Sequence, residues 1–105
     1  MDYRMDFDSR AWESPMAGVR SKTWRPGGRQ IRLVEYRPQM EPHWCERGHY
    51  GCILEGEFEI AFPDRLVVFR AGDGVAIPAG AAHRHRARAV SAMVRALFVE
   101  DLPDA

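Results

Sequence analysis

The stretch ILEGEFEIAF, residues 53–62, decides the fold class. Phe58, Ile60 and Phe62 alternate with two glutamates, and this period of two is typical of a strand that buries one face. Glu55-Gly56 precedes the alternation and predicts a tight turn, because glycine tolerates the backbone angles that such turns require. The segment is therefore predicted to turn and then run as a half-buried strand.

Short segments of the same kind lie on both sides. Residues 29–36, RQIRLVEY, place Ile31 and Leu33 on one face of a strand and Val34 and Tyr36 on the other. Turns rich in glycine and proline separate further predicted strands at residues 65–69, 75–78 and 92–100. We therefore predict an all-β domain that closes into a barrel or nearly so, because closure removes exposed strand edges.

The length of 105 residues and the mass of 12.0 kDa fit a single domain, and no repeat or linker divides the chain. Residues 1–20 are interpreted as an irregular N-terminal arm, because residues such as Pro15 and Gly18 break any periodic pattern. The arm is expected to add an edge strand or a dimer contact. Residues 21–105 are expected to form the barrel.

The charge balance argues against polyanionic partners. Fifteen basic residues offset fifteen acidic ones, and the pI is about 6.9, so no overall field attracts nucleic acid or an acidic membrane surface. The sequence shows no long apolar run and no signal-peptide pattern, so we expect a cytoplasmic location and no membrane contact. In that reducing compartment, Cys45 and Cys52 are expected to be free thiols.

One chemistry-bearing segment is PHWCERGHYG, residues 42–51. His43 and Cys45 are two residues apart and would share one face of a strand. His49 follows a bend that contains glycine and can return toward the same point. Imidazole nitrogen and thiolate sulfur are suitable ligands for divalent transition metals, so this segment is a candidate metal site.

The other chemistry-bearing segment is GDGVAIPAGAAHRH, residues 72–85. Its turn-rich approach would deliver His83 and His85 to one strand face, with the neighbouring arginines on the other. All four histidines of the protein lie in these two segments. A barrel interior could bring the segments together around one ion.

In the spacing of these residues, the chain resembles a small single-domain cupin. The family has a first motif, G-x5-H-x-H-x3,4-E-x6-G, and a second motif, G-x5-P-x-G-x2-H-x3-N. The positions that match are His43, Cys45, His49 and Gly56 in the first motif and Gly72, Pro78, Gly80 and His83 in the second. The resemblance runs from about Ile31 to Phe98.

The resemblance implies a double-stranded β-helix, or jelly roll, that holds one divalent metal ion inside its wider end and forms a homodimer. By the same resemblance the metal ligands are His43, Cys45, His49 and His83. His85 shares the predicted strand face with His83, so it could replace His83 as a ligand or hold a ligand in place through a hydrogen bond.

Two departures from the family pattern affect the expected metal. Cys45 stands where the family has histidine, and His49 stands where the family has glutamate. A thiolate and an additional imidazole make the site softer, which favours Zn, Ni or Fe(II) over Mn or Mg. In the alternative interpretation, Cys45 is a small buried apolar residue and binds no metal.

Three functions are consistent with these residues. The first is a metal-binding cupin that binds a small-molecule ligand beside the ion, with oxygenase, isomerase and lyase chemistry all left open. The second is a non-catalytic Zn-binding or redox-sensing domain, because four protein ligands close a zinc site. The third is a metal-free barrel that serves as an interaction module. No catalytic residue is assigned from the sequence.

Overall fold

The computed structural model describes residues 2–102, in which nine strands account for nearly all of the regular structure. The strands are β1 (Glu13–Met16), β2 (Val19–Trp24), β3 (Arg29–Tyr36), β4 (His49–Glu55), β5 (Glu57–Ala61), β6 (Leu66–Arg70), β7 (Gly74–Ile77), β8 (Arg86–Ala89) and β9 (Val94–Asp101). Two short 3-10 helices span Phe7–Ser9 and Ala81–His83. Within the described residues, no helix has the length and apolar character needed to cross a membrane.

The strands form two antiparallel sheets. The larger sheet has the order β1-β2-β3-β9-β4-β7, and the smaller has the order β6-β5-β8. The sheets meet face to face, where Tyr36 of β3 stacks on Phe58 of β5 with ring centroids 4.6 Å apart. The predicted all-β jelly roll is confirmed.

The core follows from strand alternation. In β9, Val94, Ala96 and Phe98 are almost fully buried, while the residues between them are partly exposed. Phe58 and Ile60 of β5 alternate in the same way, as the sequence pattern predicts. The remaining buried apolar residues are Val19, Val34, Met40, Ile53, Val75, Ile77 and Ala89.

Most predicted strands match the structure, with two differences at the chemistry-bearing segments. The predicted strand at residues 29–36 coincides with β3, and the other predicted strands overlap β5, β6, β7 and β9. The expectation that residues 43–45 form a strand is wrong, because only an isolated bridge pairs Cys45 with His85. The expectation of a strand face through His83 is also wrong, because His83 ends a 3-10 helix.

The N-terminal arm packs along the edge of the larger sheet. β1 pairs with β2, and the Phe7 ring meets the Trp24 ring edge-on with centroids 4.7 Å apart. The Lys22 ammonium donates a hydrogen bond of 2.6 Å to the carbonyl of Phe7. β2 begins at Val19, and the division between an arm at residues 1–20 and a barrel at 21–105 stays a prediction.

Two glycines are needed where the backbone turns or packs closely. Gly56, in the turn between β4 and β5, has a φ of +88°, which side-chain-bearing residues rarely adopt. Gly51 lies inside β4, where an added Cβ would overlap the carbonyl of Leu97 on β9. This close approach keeps β4 beside β9, and both strands contribute to the site described below.

Replacing Gly51 with alanine should therefore destabilise the protein. We expect the Gly51→Ala variant to lose about 2 to 4 kcal/mol of unfolding free energy, because the clash is with backbone that must shift. Gly28→Ala is the matched control, since an added Cβ there meets nothing within 4 Å. Urea denaturation measures both, and equal midpoints for the two variants would contradict the packing argument.

Candidate metal centre

Three side chains from different parts of the chain converge inside the barrel. One ligand atom each of Cys45, His49 and His85 lies within 4.8 Å of the others. Cys45 belongs to the loop before β4, His49 begins β4, and His85 immediately precedes β8. The group therefore joins the larger sheet to the smaller one.

The backbone holds two of these residues together. The Cys45 amide donates to the carbonyl of His85 at 2.8 Å, and the His85 amide donates to the carbonyl of Cys45 at 2.9 Å. The Cys45 Sγ also accepts a hydrogen bond of 3.4 Å from the amide of Arg47. Sulfur and imidazole are thus placed next to each other by main-chain pairing.

Within the part of the chain that the structure describes, Nδ1 in each of the two histidines forms a hydrogen bond with the protein and Nε2 does not. His49 Nδ1 donates to a carboxylate oxygen of Glu100 at 2.5 Å. His85 Nδ1 faces the carbonyl of His83 at 3.1 Å, and it must donate because a carbonyl oxygen only accepts. In the neutral form of each ring, Nε2 then carries the lone pair that could bind a metal ion.

The Nε2 atom of His85 is the clearest sign of a missing partner. It is buried and has no hydrogen-bond partner among the described residues, while the His85 side chain as a whole is 4% exposed. A buried polar atom without a partner carries a free-energy cost and calls for a specific explanation. Coordination of a metal ion would satisfy it, so the donor set fits the ion that the cupin resemblance implies.

The buried carboxylate of Glu100 accepts a hydrogen bond from Nδ1 of His49. Glu100 is 2% exposed and accepts hydrogen bonds from Arg32 Nε at 2.7 Å, Arg32 Nη2 at 2.9 Å and Gln30 Nε2 at 2.9 Å. Burial favours the neutral acid, but the hydrogen bonds from His49 and Arg32 outweigh burial and lower the pKa of Glu100 far below its usual range. Glu100 is therefore ionised and fixes the orientation of the His49 ring.

The sulfur and the His49 imidazole favour each other's charged forms. The neighbouring rings of His49 and His85 lower the pKa of Cys45 to about 5. Burial opposes the charged form of His49, but its hydrogen bonds with Cys45 and Glu100 raise its pKa above the usual value. At neutral pH the sulfur is thus a thiolate, which is the form that binds metals.

The structure brings together two of the four predicted ligands and leaves the other two outside the group. Cys45 and His49 lie in the group, and His85 joins them where the family spacing selects His83. His83 and His43 are exposed and lie outside the group, and the Nδ1 atom of His43 faces the carbonyl of Glu41 at 3.3 Å. The role of His43 and His83 as ligands stays a prediction.

Glu100 is a site residue that the sequence analysis missed. Its signal is present in the pattern of β9, where it follows Val94, Ala96 and Phe98 on the inward face. A carboxylate at an inward position needs a partner of opposite charge. Arg32 provides that partner from an inward position of the neighbouring β3.

A cavity of about 390 Å³ opens beside the group. Its lining includes Cys45, His49 and His85 together with aromatic and aliphatic side chains of both sheets, among them Phe58 and Phe98. Cavities of this size commonly hold small molecules. The three donor atoms therefore lie at the wall of a space that a ligand can enter.

Comparison with known families identifies the class of protein. The family profile of the cupin domain matches residues 32–100. This match covers more than half of the chain, so the protein belongs to the cupin family. A comparison with curated proteins gave no match.

Solved structures show the same fold at low sequence identity. KdgF from Halomonas sp. has a TM-score of 0.73 and 18% identity, covering 92% of this chain and 91% of that one. A sugar phosphate isomerase of the cupin superfamily from Silicibacter pomeroyi has a TM-score of 0.75 and 18% identity, covering 95% and 76%. A cupin-2 domain protein from Shewanella frigidimarina has a TM-score of 0.66 and 22% identity, covering 78% and 79%. These similarities support the fold alone.

The charge state of Cys45 can be tested in protein stripped of metal. We expect the ultraviolet absorbance of a thiolate to be present at neutral pH and to be lost as the pH falls through about 5, because the neighbouring imidazoles stabilise the anion. His49→Ala should move this step to higher pH. Cys52→Ser is the control and should keep the step, and a step that persists in Cys45→Ser would contradict the assignment.

Proposed function

We propose that the protein binds one divalent transition metal ion through Cys45, His49 and His85 and acts as a metal-dependent enzyme on a small molecule. The observation that carries the proposal is the buried, partnerless Nε2 of His85, which lies within 4.8 Å of the other two ligand atoms. One thiolate and two imidazoles favour Zn, Ni or Fe(II).

Three protein donors favour an enzyme over a closed structural site. Structural zinc sites usually have four protein ligands, whereas catalytic sites keep a position for water or substrate. The cavity of about 390 Å³ beside the donors provides room for such a ligand. When bound, a metal ion would polarise an oxygen atom of that ligand and stabilise the charge that develops there.

The chain's own residues would prepare this site in three ways. Glu100 accepts the Nδ1–H of His49, so that in the neutral ring Nε2 is the nitrogen left to bind the ion. The carbonyl of His83 does the same for His85. Phe98 packs against the His49 ring at a centroid distance of 5.1 Å and excludes water from that side.

The proposed metal centre is compatible with several types of reaction. Oxygenase, isomerase and lyase chemistry all use an ion with open positions, and the relative from Silicibacter pomeroyi is described as a sugar phosphate isomerase. We propose that the protein works in the cytoplasm, a reducing compartment in which Cys45 and Cys52 stay free thiols. The cupin resemblance supports a homodimer.

Metal occupancy tests the ligand set directly. We expect purified protein to carry about one equivalent of Zn, Ni or Fe by elemental analysis, and we expect Cys45→Ser and His85→Ala to lose most of it because each removes a donor. His83→Ala is the matched control and should retain the metal. Retention in His85→Ala with loss in His83→Ala would show that the family spacing, and not the geometry, identifies the ligand.

The spectrum of Co(II)-substituted protein separates the candidate functions. A five- or six-coordinate ion supports the enzyme, because it has positions open to a substrate. A tetrahedral ion that stays unchanged when small ligands are added supports the Zn-binding or redox-sensing alternative. Failure to take up any metal after reconstitution supports the metal-free interaction module and contradicts the proposal.

The support of His49 by Glu100 gives a separate test. We expect Glu100→Gln to weaken metal binding by about 10- to 100-fold, because the ligand ring loses its carboxylate partner. Glu35→Gln is the matched control, since Glu35 is also about 1% exposed and paired with arginines but lies away from the donors. Competition with a chelator measures both affinities, and equal weakening would indicate a general loss of stability.

A further inference from the structure

Outside the group formed by Cys45, His49 and His85, the charged side chains that line the cavity are both arginines. They are Arg32 and Arg47, and no aspartate or glutamate side chain of the described part of the chain belongs to the lining. A bound divalent ion would add positive charge, only part of which the Cys45 thiolate cancels. The electrostatics of this cavity therefore select for an anion.

The two arginines differ in what they can offer a ligand. Arg32 already forms two hydrogen bonds with Glu100, at 2.7 Å and 2.9 Å, so its charge is balanced inside the protein. In residues 2–102, no carboxylate oxygen lies within 4.0 Å of the Arg47 guanidinium. Arg47 is therefore the cavity arginine whose donors are free for a ligand.

The backbone fixes the position of Arg47 relative to the donors. Its amide donates to Cys45 Sγ, and it lies midway between Cys45 and His49 in the loop. The carbonyl of the preceding Glu46 accepts a hydrogen bond of 2.9 Å from the amide of Gly80. This loop is thus tied to the loop after β7, and the Arg47 side chain starts from a defined point at the cavity wall.

Most of the remaining lining is apolar. It combines residues of the larger sheet, the smaller sheet and the N-terminal arm, including Val19, Ile60 and Met16. Phe58 and Ile60 are each 2% exposed, and both line the cavity. A sugar-like ligand, with hydroxyl groups all round, would find few partners on such walls.

We propose that the cavity binds a small amphipathic carboxylate, with its carboxylate on Arg47 and its apolar part against Phe58 and Ile60. The inference rests on the proposed function, because it concerns the same cavity and names the class of its ligand. One free guanidinium fork matches one carboxylate through two parallel N–H donors. A phosphate group presents the same kind of oxygen donors to arginine, so the test must separate the two.

A second cavity, of about 430 Å³, provides an internal comparison. It is lined by Arg29 and Arg47 but also by Glu100 and Asp101. Two basic and two acidic residues balance there, so it lacks the selection for anions seen beside the metal-binding group. Of the two cavities that Arg47 lines, the first is therefore the one whose charges favour an anion.

Calorimetric titration of the metal-loaded protein tests the proposal with four probes that each have a linear six-carbon skeleton, and with acetate as a short comparison. The probes are hexanoate, hexanamide, hexylammonium and hexyl phosphate. We expect hexanoate to bind at least about tenfold more tightly than hexanamide, because only hexanoate forms charge-assisted hydrogen bonds with arginine. Acetate should bind more weakly than hexanoate, because it lacks the chain that the apolar wall covers.

Two variants assign the effect to Arg47. Arg47→Gln should weaken hexanoate binding by at least about tenfold and leave hexanamide unchanged, with metal content unaltered by elemental analysis. Arg84→Gln is the matched control, because Arg84 is exposed and lies outside the cavity lining, near the ring of Trp44. Its affinity for hexanoate should equal that of the original protein.

The outcomes distinguish this inference from the proposed function. If metal is bound but hexanoate is no better than hexanamide, or hexyl phosphate is preferred, the carboxylate assignment is overturned while the metal centre stands. If Arg47→Gln retains the full preference, the role of Arg47 is overturned. If no metal is taken up at all, the proposed function fails first, and elemental analysis shows this independently of any titration.

Discussion

The ionised carboxylate of Glu100, buried inside the barrel, is the constraint on which the site depends. Burying a lone carboxylate is costly, so its charge must be met by partners on the neighbouring strands. Arg32 of β3 meets it from one side and His49 of β4 from the other, with β9 between them in the sheet. One charge thus sets the positions of an arginine and of an imidazole in the candidate metal-binding group.

Glu35 is a second buried carboxylate paired with arginines, but it contacts none of the three donor residues. It is also about 1% exposed, and it lies between Arg20 at 2.7 Å and Arg95 at 2.8 Å on the other face of β3 from Arg32. Its pKa is lowered against the effect of burial by hydrogen bonds from Arg95 and Arg20. Glu35 and its partners join three strands, whereas Glu100 does this and also orients a donor. Burial of a paired glutamate is therefore a structural feature in itself, and only the contact with His49 links Glu100 to the candidate metal-binding group.

The sequence predicts the strands well, because alternation depends only on neighbouring residues. The bounds of β3 and the inward side chains of β5 were predictable in this way. The site is harder to predict from the sequence, because the direction of its side chains depends on where each strand ends. Residues two apart share a face only within a strand, and the 3-10 helix that ends at His83 separates His83 from His85 in direction. The pairing of His49 with Glu100, 51 residues away, depends on the β4–β9 register, which periodicity does not reveal.

Contacts within the polypeptide hold the three donors of the candidate site together. The reciprocal main-chain bonds between Cys45 and His85 fix sulfur beside one imidazole, and Glu100 fixes the other. In small zinc domains the metal supplies much of the folding energy, because the ligands are scattered in the unfolded chain. Here strand pairing and a buried ion pair already supply the arrangement, so an ion need not use its own coordination energy to build the fold. A site of this kind can leave a coordination position unfilled by protein, since stability does not require the fourth bond.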